Sequence, residues 1–448
     1  MSAPFARMPA VVSEISPSYN LHDACFEDEP ENPPHADALI PVTVSGYGMP
    51  VIPTEQQELV HHYLYNVLPI QYLLADPSIS RFMFRLLQTN SVARDAACVL
   101  SALHLQHTRY NSRMLNIDFN FKRLESSLLC PNRPYTEGDA MAGLHIVSTF
   151  LFNGGRGPWD LYLDIASQYV TSVLHDPNFY GPEDVLKRCS DSTRFIIKTT
   201  MWFDVLASVT TQQVPRFLEV YRLLFGHAGG AYIDDPLSGA EEISMLPVMG
   251  CENHIVLAIA EISNLAVWKE GQRRRGCLSV PQLKKYLDAP GTPPAVHPPR
   301  PARTAPASTR TGTAPTWRRR TRRSRSGGSD NDIFRASARV YLHTVLSGDY
   351  PSCPEIMASV AETLECLHQV PTNMPSVSRG VVRSVVFGIC ISGCLTDDPR
   401  QRTFLLKMLE TQQGESVGNV SEVRALMESV WARRENSQGR PRDLLLLV

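Results

Sequence analysis

Two aspartate pairs, Asp234-Asp235 and Asp397-Asp398, are the residues of this sequence whose type and spacing come nearest to a reaction centre. Adjacent carboxylates can hold a divalent cation, as in an all-α terpene synthase that grips a diphosphate through magnesium. A proline follows each pair directly, Pro236 and Pro399. Proline disfavours the helical conformation of the residue before it, so both pairs read as turns or helix starts, not as a motif displayed along one continuous helix. The second, spaced carboxylate set that such a site needs is missing. A metal-dependent lyase built on Asp234 and Asp397 is therefore the most distant of three readings.

Other constellations also fall short of chemistry. His104 and His107 are three apart on an expected helix, with Cys98 one and a half turns earlier, but that face carries no third ligand. They read as ordinary partly buried histidines, and so do His61 and His62. Cys390 and Cys394 are four apart, which places them on one helix face as small hydrophobes. No CxxC or HxxxH supplies a second ligand pair, so no structural zinc is expected. HExxH, GxGxxG and GxxxxGK[ST] are all missing, and Gly154-Gly155-Arg156-Gly157 lacks the preceding strand a phosphate loop requires. The expectation is a protein with no catalytic, cofactor-binding or metal-ligating residues, and not an enzyme.

The elements around these residues are helical. Apolar residues recur every three or four positions from Thr54 onward, giving expected helices at 55–74, 91–110, 138–152, 159–174, 192–210, 215–225, 251–270, 333–346, 355–368, 379–394, 400–411 and 420–434. In the seventh, Ile255, Ala258, Ile259, Ile262, Leu265 and Ala266 trace one stripe, with Glu252, Glu261, Lys269 and Glu270 largely off it. Thr136 followed by Asp139 resembles a capping box; Pro158 and Pro215 mark helix starts, and Gly154-Gly155 and Gly226 mark ends. Alternating, β-branched runs between hairpin turns are scarce. The expected fold is all-α, layered antiparallel helices in a bundle or solenoid-like arrangement.

Charge and composition divide the chain. Residues 1–53 are rich in proline, acidic around Glu27-Asp28-Glu29 and without period, which is the composition of a disordered tail. Helical parts are expected at 54–288 and 332–435, separated by an insertion at 289–331 that holds eight prolines and nine arginines and cannot build a core; 436–448 is a tail. Setting those nine arginines aside from the overall −2 leaves −11 on everything else. An acidic core repels a polyphosphate backbone, so direct DNA contact by the helices is disfavoured. Within the insertion, Arg318, Arg319, Arg320, Arg322, Arg323 and Arg325 have the charge density of a nuclear import signal. The longest uncharged apolar run, 385–395, is far shorter than the roughly 20 residues of a membrane span, and no secretory signal is read at the start. The expected location is inside the cell and off the membrane.

Several stretches, taken together and in order, carry a resemblance. They are Ser192-Thr193-Arg194, TTMWFDVLASVTTQQVPRF at 199–217, MGCENHIVLAIAEISNLAVWKE at 249–270, IFRASARVYLHTVLSGDYPSCPEI at 333–356, VVFGICISGCLTDDPRQRTFL at 385–405 and RALMESVWARRE at 424–435. Over roughly 55–435 the chain resembles the fungal-specific transcription factor regulatory domain, which follows a six-cysteine binuclear zinc cluster in many fungal regulators. The resemblance implies a nuclear regulator of transcription by RNA polymerase II, with the transcription machinery or co-regulators as partners and a homodimer among its assemblies. The chain departs from the family at the cluster: six cysteines within about 30 residues are needed, and the first 97 residues hold only Cys25. Zinc is thus expected only with a cluster outside this sequence, and DNA contact only through such a missing or separate domain. The insertion at 289–331 is also foreign to the family pattern. The second reading is a DNA-independent helical scaffold or adaptor. A helical domain of this size can enclose an apolar pocket, whose lining the sequence does not name.

Overall fold

The computed structural model describes residues 52–73, 75, 78–108, 117–129, 133–226, 240–279, 328–370, 381–410 and 418–436. The acidic tail, Asp234, Asp235 and all six arginines of the import tract lie outside the described residues. The described chain is all-α, with no strand among the described residues. No helix among them is long and apolar enough to cross a membrane.

The first helix, α1 (Thr54–His62), runs through a π turn (Tyr63–Val67) into α2 (Leu68–Gln71), where one continuous helix to residue 74 was expected. Pro69 explains the break. It has no N–H to donate to the carbonyl four residues earlier, and the ladder widens just upstream, where the Leu68 N–H reaches Tyr63 O. Next come α3 (Ile79–Thr89), α4 (Ser91–Thr108), α5 (Ile117–Leu128), α6 (Glu137–Phe152), α7 (Trp159–Leu174), α8 (Pro182–Arg188), α9 (Asp191–Thr211) and α10 (Leu218–Phe225). Two single turns, α11 (Ala240–Ile243) and α12 (Leu246–Met249), lead to α13 (Asn253–Arg274). Beyond the basic tract lie α14 (Gly328–Ser347), α15 (Pro354–His368), α16 (Val386–Cys394), α17 (Pro399–Glu410) and α18 (Val420–Glu435).

Helix α6 is the axis of the first part. Every residue from Gly138 to Ser148 is buried, so this helix is apolar all round and must be enclosed; α4 lies along one side and α7 along the other. Its start is the capping box read in the sequence: Asp139 N–H donates to Thr136 Oγ1 at 3.3 Å and Thr136 N–H to Asp139 Oδ2 at 2.8 Å. α9 packs on α7 and α13, and α13 on α14, which in turn carries α15 and α16; α18 closes against α16. Trp431 donates its indole N–H to Gly393 O at 2.8 Å across that last contact.

One hydrophobic core runs unbroken from Ile52 to Trp431. The parts on either side of the basic tract are joined inside it. Trp202 meets Phe334 edge-on at 5.4 Å, Ser263 Oγ lies 3.3 Å from Tyr341 Oη, and Glu252 N–H donates to Asn331 Oδ1 at 2.8 Å. Lys269 donates to the last carbonyls of α14, Val345 O at 2.6 Å and Leu346 O at 2.9 Å, where a cation also complements the helix dipole.

Candidate functional site

A cavity of about 190 Å³ opens where the two parts of the chain meet. Its wall is aromatic and aliphatic. α9 gives Trp202, Phe203, Leu206 and Val209, α14 gives Phe334, and α16 gives Phe387. Turn α12 adds Val248 and Met249, the end of α6 adds Phe152, and the start of α18 adds Val420. Because helical side chains repeat every 3.6 residues, α9 turns Trp202, Leu206 and Val209 to this cavity while its other faces reach α7 and α13.

Polar groups in the wall are few. Gln71 is already engaged: Tyr63 Oη donates to its Oε1 at 2.9 Å, and its Nε2 donates to Ser148 Oγ at 2.8 Å and Tyr72 Oη at 3.2 Å. Ser384 Oγ donates to Val381 O at 2.7 Å. Arg383 is the one charged residue among the described lining residues. Its Nη2 lies 3.6 Å from where a β-carbon on Gly418 would stand, and Gly418 N–H donates to Phe152 O at 3.0 Å, so the guanidinium sits at the rim between α6 and α18.

Residues singled out from the sequence serve structure elsewhere. Asp397 pairs with Arg402 at 3.0 Å and Arg434 at 3.2 Å, and Asp398 accepts the Arg400 N–H at 2.8 Å as α17 begins, the helix-start geometry expected of an Asp-Asp-Pro sequence. Arg402 also lies over the Trp431 ring, 4.9 Å from its centroid. His104 Nδ1 faces His62 Nε2 at 2.9 Å, a pairing across α1 and α4 that sequence spacing does not show, and His107 Nδ1 is 2.9 Å from Leu103 O. Burial pushes the Cys98 thiol up to about 12, which keeps it protonated and unreactive. Cys390 and Cys394 are buried on one face of α16, with the Cys390 thiol raised by its bond to Cys394 and by burial. Among the described residues no group of three or more His, Cys, Asp or Glu side chains could hold a metal ion.

Ser192, Thr193 and Arg194 form a joint. Ser192 and Thr193 hydroxyls donate to Glu137 Oε1 at 2.6 and 2.9 Å, and Arg194 Nε donates to Leu186 O at 2.6 Å, which locks α6, α8 and α9 together. Asp204 does the same for α9 and α10. It is buried and accepts Arg216 N–H at 2.9 Å, Phe217 N–H at 3.1 Å and Tyr221 Oη at 2.8 Å, while burial raises its carboxyl above the usual range. Arg222 then holds Glu261 of α13 through two bonds of 2.6 and 2.9 Å.

The architecture therefore presents a helical body with a largely apolar cavity and, among the described residues, no cluster of side chains that could hold a metal ion. The fungal-specific transcription factor domain profile matches residues 58–442 of this chain. The chain belongs to that family. Members of the fungal-specific transcription factor domain family among its relatives are regulators, not enzymes. It is 26% identical over 354 residues to the ustiloxin B cluster transcription factor ustR of Aspergillus flavus, which covers 74% of this chain and 56% of that protein. It is 21% identical over 462 residues to the Pestheic acid cluster transcriptional regulator 3 of Pestalotiopsis fici, covering 93% of this chain and 76% of the relative. To the Trichothecene biosynthesis transcription regulator TRI10 of Trichoderma arundinaceum it is 24% identical over 249 residues, covering 55% of this chain and 50% of the relative. The chain thus spans only part of the length of these relatives. No solved structure matches it. Within the fungal-specific transcription factor domain, the stretches that carried the resemblance supply much of the cavity wall: Trp202, Phe203 and Val209 come from 199–217, Phe334 from 333–356 and Phe387 from 385–405.

Proposed function

We propose that this chain is the regulatory module of a pathway-specific transcription factor, controlling RNA polymerase II transcription of the genes of one biosynthetic route in a fungal nucleus. The observation that carries the reading is the family match over 58–442, which takes in nearly all of the continuous core. Relatives named for ustiloxin B, pestheic acid and trichothecene genes supply the pathway-specific part of the reading. The acidic charge outside the basic tract argues against DNA binding by the helices. In this reading a zinc cluster outside the present sequence supplies DNA contact and holds the zinc, while the helical body engages co-regulators, the transcription machinery or a second copy of itself. Arg318, Arg319, Arg320, Arg322, Arg323 and Arg325 serve nuclear import.

Fusion of the chain to a heterologous DNA-binding domain at a reporter gene tests this. Reporter output is expected to rise or fall several-fold relative to the DNA-binding domain alone. An unchanged reporter with a nuclear, well-expressed fusion favours the DNA-independent scaffold reading instead. Replacement of the six arginines by glutamine in a fluorescently tagged chain is expected to move the protein from nucleus to cytoplasm.

A further inference from the structure

We propose that the cavity between α9, α14, α16 and the start of α18 is a receptor site for a small uncharged aromatic molecule of one ring or two fused rings. Volume sets the size of the occupant. An apolar cavity of about 150 Å³ holds benzene, and this one, at about 190 Å³, has room for one ring with a short substituent or a compact fused pair. The wall sets its shape. Trp202, Phe203, Phe334 and Phe387 offer ring faces and edges, which favour a flat aromatic partner over a branched aliphatic one.

The polar groups of the wall set its charge at zero. Gln71 is bonded to Tyr63, Ser148 and the Tyr72 hydroxyl, Thr210 Oγ1 donates to Leu206 O at 3.3 Å, and Ser384 Oγ donates to Val381 O at 2.7 Å. Arg383 is likewise engaged within the protein. An anion entering the cavity would therefore shed water without meeting an unengaged cation, and a cation would find no carboxylate among the described lining residues. Asn419 makes no cap bond with its side chain at the start of α18, and its amide carries no charge. An uncharged ring leaves water readily and gains the whole apolar wall. That wall also joins the two parts of the chain, with Trp202 and Phe334 in contact across it, so an occupant would brace the junction.

The inference concerns binding by the purified chain and stands apart from the regulator reading: a silent reporter would leave it intact, and failure to bind would leave the regulator reading intact. Isothermal titration of the full chain with two pairs of molecules matched in shape is the test: ethylbenzene against benzylammonium, and nitrobenzene against benzoate. At least one uncharged member is expected to bind with a Kd on the order of 0.1 mM. Each ion is expected to bind about tenfold or more weaker than its uncharged counterpart, because its charge loses hydration unrepaid. Leu206→Trp, which fills the cavity from α9, is expected to weaken the uncharged ligands by about tenfold or more, with an unchanged circular dichroism spectrum. Should Leu206→Trp fail to fold, Val420→Phe, at a partly exposed position of the wall, is expected to do the same. The proposal is overturned by no binding of either uncharged molecule at millimolar concentration, by an ion binding as tightly as its uncharged counterpart, or by unaltered binding in a folded Leu206→Trp or Val420→Phe protein.

Discussion

His145 is a histidine that its burial holds neutral. It is fully buried on α6, its ring meets Tyr63 edge-on at 5.0 Å, and Gln71 Nε2 lies 3.3 Å from its Nδ1. Nε2 has no protein partner, so a second proton there would be a buried, unshared charge; burial pushes the pKa down to about 3. An unfolded histidine titrates near about 6.5. The stability tied to a neutral His145 is therefore complete above that value and is lost as pH falls toward about 3, by up to about 1.4 kcal/mol per pH unit. Urea denaturation of the wild type and His145→Leu between these limits should show a shallower acid loss in the variant, by about one proton. Parallel profiles would refute the assignment. The burial of this residue was not legible in the sequence, where His145 sits in a run that gives no hint of its neighbours. Asp397 was legible as part of a helix start, because the proline after Asp398 already dictated one, but its pairing with Arg434 of α18 was not, since only packing brings the two together.

At the scale of helices, α6 and α7 approach so closely that Gly143 has no room for a side chain. A β-carbon there would stand 2.6 Å from the Tyr162 carbonyl oxygen, a backbone atom that cannot rotate away. Gly143→Ala should cost about 1–3 kcal/mol despite the better helix propensity of alanine. Gly271, on α13, has nothing within 4 Å of its would-be β-carbon. Gly271→Ala should stabilise by about 0.5–1 kcal/mol, as removal of glycine from an open helix position does. Thermal melts of the two variants shifting in the same direction would contradict this account of the packing. Helices α6, α7 and α9 were readable nearly to the residue, since each carries a cap or a proline at its start. α3 lies outside the expected helices although its buried Ile79, Met83, Leu86 and Leu87 follow the helical period, and the short α8 between Gly181 and Cys189 has too few turns to show one. The end of the tract at 289–331 is helical from Gly328, where the polar GSDND gave no apolar stripe and Asn331 is held instead by the Glu252 N–H. The cavity was the least legible feature, because its wall draws on residues from 70 to 420 that only packing assembles.

For the whole molecule, the decisive relation is that the two helical parts share one core in spite of the long basic tract between them. Lys269 of α13 holds the end of α14, and Ser263 faces Tyr341 within the interface. Trp202, Ile333 and Phe334 are each less than a tenth exposed and would all meet water if the parts separated. Burying one such side chain contributes about 1.5–3 kcal/mol, and a lost interface made of many exceeds the whole stability of an ordinary domain, about 5–15 kcal/mol. Cleavage of the chain within 281–327 should then leave the two parts associated, because the shared core holds them together. The separate pieces 52–279 and 328–436, expressed alone, should show no cooperative melt, whereas co-expression should restore one complex with a single transition. Independent cooperative unfolding of either piece would mean that the tract divides two domains, and the cavity between them would then belong to an interface, not to a core.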